Sequence, residues 1–86
     1  MNDQIRYIIN KNTRYPTSWP YEGPACRAAD IPMGKIYKHA SEAIFDAKTL
    51  AKYNPVGFVV IAIRANSLYG HIKMYFWHKL VYTAEG

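Results

Sequence analysis

Residues 41–64 read SEAIFDAKTLAKYNPVGFVVIAIR, and this stretch decides the fold. Its first half has helical spacing. At about 100° per residue, Ala40, Ala43, Ile44, Ala47, Leu50 and Ala51 share one side. That side is mostly alanine, which lets a helix lie close on a sheet. Ser41 is the expected N-cap, because its hydroxyl can accept from a free amide of the first turn. Glu42 then sits near the positive end of the helix dipole, and Lys48 and Lys52 near the negative end. Asn54-Pro55 stops the helix, since the residue before a proline is pushed out of helical backbone. The second half, 58–63, is the apolar run FVVIAI. It is short and β-branched, so it reads as a strand, and apolar residues on both parities predict a central strand.

Phe45 breaks the helix pattern, pointing away from the alanine stripe. Either the long N-terminal loop covers it, or Phe45, Lys48 and Lys52 form part of a partner-binding surface.

The chain has 86 residues, half of them hydrophobic, which suits one domain spanning 1–86 with a modest core. The net charge is +5, which favours an acidic partner such as nucleic acid or an anionic protein surface. Cys26 is the single cysteine, so no internal disulfide forms and folding rests on packing, as suits a reducing cytoplasm. The N-terminal MNDQIRYIIN is too polar for a signal peptide, and no apolar run reaches the roughly 20 residues of a spanning helix. The expectation is a cytoplasmic protein without a membrane partner.

Outward from the central stretch, residues 5–10 alternate and are β-prone, giving a first strand. Residues 14–32 hold Pro16, Pro20, Pro24, Pro32 and Gly23. They cannot sustain a helix or a central strand, apart from a short helical turn at 25–29. A loop of this length in a small domain is often functional. Residues 35–39 read as a short second strand. Residues 65–70 read as a hairpin loop, and 71–82 as the longest strand. On that strand Ile72, Met74, Phe76, Leu80 and Tyr82 are expected on the core face. His71, Lys73, Tyr75, Trp77 and Lys79 are expected on the other. The order is β-loop-β-α-β-β. It defines an α+β domain in which one helix covers one face of a mainly antiparallel, three- or four-stranded sheet, with the opposite face left open.

Two sets of residues are candidates for binding. Lys73, Tyr75, Trp77 and Lys79 interleave cations with rings, a pattern that can hold phosphates while the rings stack on bases or on a partner's side chains. The plain alternative is an ordinary solvent face whose aromatics pair across strands. Arg14, Tyr15, Trp19, Tyr21 and Arg27 form the second set, since Trp, Tyr and Arg are enriched at binding hot spots. There the plain alternative is that Trp19 and Tyr21 fold over the core. Nothing marks a catalytic site, a metal site or a cofactor site. His71 and His78 fall on opposite faces of the expected strand, the glycines are scattered, and no pair of acids has working spacing. An RNA-recognition motif needs two helices and a glycine-aromatic signature that is absent.

The run Gly34-Lys35-Ile36-Tyr37-Lys38, followed by Ser41-Glu42-Ala43 and a glycine-led apolar strand, resembles a layout of very small bacteriophage accessory proteins. Such proteins also begin with strands like Ile5-Arg6-Tyr7-Ile8-Ile9 and carry connectors like 15–21. The resemblance implies host-takeover or anti-defence proteins, including anti-CRISPR and anti-restriction types, which block a host complex by contact. Many such blockers are acidic DNA mimics, and this chain is basic. The leading expectation is a non-enzymatic inhibitor of a host protein or ribonucleoprotein complex that handles nucleic acid, acting as a monomer or homodimer. The alternatives are a direct nucleic-acid binder, or a protein that sequesters a small ligand such as a nucleotide between the long loop and the sheet.

Overall fold

The computed structural model describes the backbone of residues 4–68 and 72–86, with side chains except at 65–68 and 72–75. Five elements follow one another: β1 (Gln4–Lys11), α1 (Pro24–Ala28), α2 (Ala40–Ala51), β2 (Phe58–Leu68) and β3 (Ile72–Ala84). The strands form an antiparallel sheet in the order β1-β2-β3. The α+β class follows directly from this arrangement.

β2 lies in the centre, as its unbroken apolar run requires. Ile61 and Ile63 on one parity, and Phe58 and Val60 on the other, are all fully buried. The even parity meets α2. Phe58 and Val60 join Ile9, Ala43, Ala47, Leu50 and Ala51 in the main core. The small side chains of α2 permit that close approach. Burying Leu50 alone contributes about 1.5–3 kcal/mol.

The opposite face is not open as expected. Ile8, Val59, Ile61 and Ile63 form a second buried cluster there, with Ile36 packed against it. Antiparallel register explains the cluster, since Ile8 pairs with Ile61 and so shares its face.

The start of α2 also differs. The helix begins at Ala40, with His39 at the N-cap position and no side-chain cap bond. Ser41 therefore lies inside the first turn and cannot cap it. Glu42 sits in the first turn and Lys48 in the last, as the dipole favours. The helix stops at Ala51. Tyr53 N–H then donates to Leu50 O, and Val56 N–H to the Asn54 side-chain oxygen at 3.0 Å. Gly57 follows at φ +84°, and a Cβ there would lie 2.5 Å from Ala84 O. Glycine alone fits, because both the backbone angle and the neighbouring carbonyl exclude a side chain.

The second strand expected at 35–39 is only a bridge. Tyr37 and Tyr7 exchange backbone hydrogen bonds of 2.8 and 2.9 Å. Two residues further along β1, Ile9 O accepts from Tyr21 N–H at 2.8 Å. The outer edge of β1 is thus shielded by two different loop segments. The helical turn expected at 25–29 appears as α1, opened by Pro24. Residues 65–68, expected in a hairpin loop, belong instead to β2. Residues 69–71 lie outside the described residues.

Candidate interaction surface

β3 is the strand whose details matter most. Its register against β2 slips twice. Tyr82 pairs with Val60 but Leu80 with Ile61, so Val81 is an extra residue. Lys79 pairs with Ala62 but Trp77 with Ile63, so His78 is a second one. Each is a β-bulge, which bends the strand and re-aims the side chains on either side.

The bulges undo the simple alternation read from the sequence. Leu80 was expected on the core face, yet its partner Ile61 places it on the face away from α2, beside Trp77. Lys79 was expected beside Trp77, yet its partner Ala62 places it on the helix side with Phe76. Phe76 and Leu80, expected in the core, are exposed. All of 76–80 is exposed, and Phe76, Trp77 and Leu80 each show about half their surface, at 47, 48 and 50 %. Trp77 and Lys79 therefore stand at the surface as expected, but on opposite faces. Lys73 and Tyr75 lie outside the described side chains; their backbones pair with Ser67 and Ala65.

α2 borders this strand. The Lys48 ammonium lies 5.5 Å from the centre of the Tyr82 ring, on the helix side of β3. Lys48 and Lys52 are both exposed. Phe45 is 69 % exposed, so the long loop does not cover it. It rims a shallow hollow of about 400 Å³ with Lys35, Ser41, Glu42 and Asp46.

The loop set divides. Tyr21 is partly buried: its ring meets Phe58 edge-on at 4.8 Å, and it packs against the main cluster. A Cβ at Gly23 would sit 2.0 Å from its hydroxyl, so with the ring in this position only glycine fits there. Tyr21 is thus partly given over to the core, with the rest of its side chain in solvent. Trp19 remains exposed, its indole N–H donating to Glu22 at 2.9 Å. Arg14 and Arg27 are exposed, and the Arg14 guanidinium lies 5.7 Å from the Tyr15 ring centre. What holds this loop is Asn10, the last residue of the strand expected at 5–10 and not among the candidate binding residues. Buried at the end of β1, its amide donates to Trp19 O (2.8 Å) and Thr17 O (3.1 Å) and accepts from Thr17 N–H (3.2 Å).

Little here favours small-ligand chemistry. The cavity between loop and sheet, lined by Ile9, Tyr21, Cys26, Tyr37 and Leu50 among others, measures about 10 Å³. That is room for one water at most. Cys26 is buried there, and burial pushes its pKa up, which disfavours a thiolate. Tyr37 is 2 % exposed and its hydroxyl donates to Asp46 at 2.6 Å. Burial and that hydrogen bond both hold the phenol protonated. No group of three or more potential metal ligands occurs among the described residues. No helix among them is long and apolar enough to cross a membrane.

Charge is unevenly placed. Five of the eleven basic residues (Lys48, Lys52, Arg64, Lys73 and Lys79) fall within 47–84, and none of the six acids does. The whole net charge of +5 therefore belongs to that stretch, and the rest of the chain is neutral. The end of α2 and the β2–β3 hairpin form a basic half, with exposed rings along its outer strand.

No family model, curated protein or solved structure matches the chain.

Proposed function

We propose that this protein is a non-enzymatic binding protein of bacteriophage accessory type. It would inhibit a host nucleic-acid-handling or defence complex by stoichiometric contact through β3. One observation carries the reading: Phe76, Trp77 and Leu80 are half-exposed on the outer strand of the basic half. Large apolar groups held at a surface mark contact sites, and Trp is the residue type most enriched among binding hot spots. A standard interface needs about 800 Å² per partner, which β3 and the adjoining surface of α2 can supply together. The concentrated positive charge suits a partner that presents acid, as proteins that imitate or accompany nucleic acid do.

The test is capture from nuclease-treated bacterial lysate, comparing the wild type with the double variant Trp77→Ser, Leu80→Ser. Both side chains are half in solvent, so the variant is expected to fold. The wild type should retain a subunit of a nucleic-acid-handling complex in one-to-one ratio, and the variant should lose it. Failure to retain any protein, or equal retention by the variant, refutes the reading. A direct nucleic-acid binder would instead bind oligonucleotides with an affinity that falls steeply with salt.

A further inference from the structure

We propose that the outer edge of β3 is a strand-acceptor site that takes an extended acidic segment of the partner as a fourth strand. This rests on the contact reading above and names its mode. Three observations meet at this edge.

The first is its backbone. The edge of β1 is closed by Tyr37 and Tyr21. β3, thirteen residues long, ends the sheet on the other side, with no backbone partner on its outer edge among the described residues. A row of unpaired amides and carbonyls is a template for another chain, and strand addition satisfies it through main-chain hydrogen bonds.

The second is the alternation across the edge. On the face away from α2 stand Trp77 and Leu80; on the helix side stand Phe76, Lys79 and Tyr82, with Lys48 above the Tyr82 ring. An incoming strand sends successive side chains to opposite faces. Its residues on one face would meet Trp77 and Leu80, and those on the other would meet Lys79 and Lys48. The matching segment alternates apolar and acidic residues.

The third is charge, which decides between a foreign strand and a second copy. Between residues 47 and 84 the chain carries five Lys and Arg and no acid. Two copies joined edge to edge would bring these basic halves together. An acidic segment gains where a second copy loses.

The experiment uses the full chain and a synthetic nine-residue peptide of alternating glutamate and valine with blocked ends, mapped by amide chemical shifts at low salt. The expected result is a dissociation constant below about 1 mM, with the largest shifts at 76–82. Replacing glutamate by lysine, or N-methylating alternate amides of the peptide, should each weaken binding at least tenfold. Lys79→Glu should weaken it about fivefold while leaving the remaining shifts in place. Absence of binding, equal binding of the N-methylated peptide, or shifts centred away from β3 overturns the proposal. So does an oligothymidylate that binds the same amides more tightly than the peptide. If lysate capture succeeds while the peptide fails, strand addition falls and the contact reading stands. If the peptide binds while capture fails, the reverse holds.

Discussion

Removing one oxygen from Tyr37 tests how the loop before α2 is tied to the core. The side chain is 2 % exposed and its hydroxyl donates to Asp46 of α2 at 2.6 Å. A hydrogen bond to a charged group contributes about 1.5–3 kcal/mol net. In Tyr37→Phe the ring stays and the partly exposed Asp46 regains water. The expected loss at pH 7 is therefore at the low end, about 1–2 kcal/mol, or roughly 5–10 °C in Tm for a domain of this size. The pH dependence supplies a sharper check. The folded phenol has its pKa raised from its ordinary value of 10.0 by burial and by Asp46. The unfolded chain therefore loses this proton first. The raised pKa contributes stability that is fully present below pH 10 and declines above it, by up to about 1.4 kcal/mol per pH unit. The phenylalanine variant lacks that slope, so its deficit should shrink through zero between pH 10 and about 11.5. Groups that do not interact with Tyr37 are common to both proteins and cancel in the difference. Urea unfolding followed by circular dichroism at pH 7, 10 and 11 measures it. A variant as stable as the wild type at pH 7, or a deficit unchanged at pH 11, refutes this account.

Two further outcomes follow from close contacts elsewhere. Asn10→Ala removes the three bonds that hold 17–19, so it should cost about 2 kcal/mol and speed amide exchange at Thr17 while β2 stays protected. Gly57→Ala combines a left-handed backbone angle with a Cβ placed 2.5 Å from Ala84 O. It should cost more than about 2 kcal/mol in urea unfolding, and a smaller loss would show that the C-terminal strand end yields easily.

Much of this fold is legible in residues 41–64. Alanine spacing marks the buried side of α2, and β-branched residues of both parities mark a central strand. The sequence signal fails where the backbone departs from its period. Two extra residues in β3 move Leu80 to the face of Trp77 and Lys79 to the face of Phe76, and nothing in the residue types announces either bulge. Ser41 is a good cap by chemistry, but the chain enters the helix two residues too early for it. Taken strand by strand, Ile8, Val59, Ile61 and Ile63 do not signal a covered second face. Only their register gathers them into a cluster. Of the candidate site, exposure of Trp77, Lys79 and Arg14 is readable from position and type, whereas residue type alone leaves Phe45 and Trp19 open to either a covered or an exposed placement. The partial burial of Tyr21 is not readable, since it depends on Gly23 leaving room for its ring.

The two margins of the sheet differ in kind. From Tyr7 to Lys11 the first strand spends its outward carbonyls, and the Tyr7 amide, within its own chain, on Tyr37, Tyr21 and Thr13. Growth by stacking strand on strand needs two receptive sides, and this sheet offers one. Whatever seats itself along β3 is therefore the last member added from that protomer. Copies of this chain joined edge to edge could meet only through β3, so such an assembly would end at a discrete pair and not extend into a fibre.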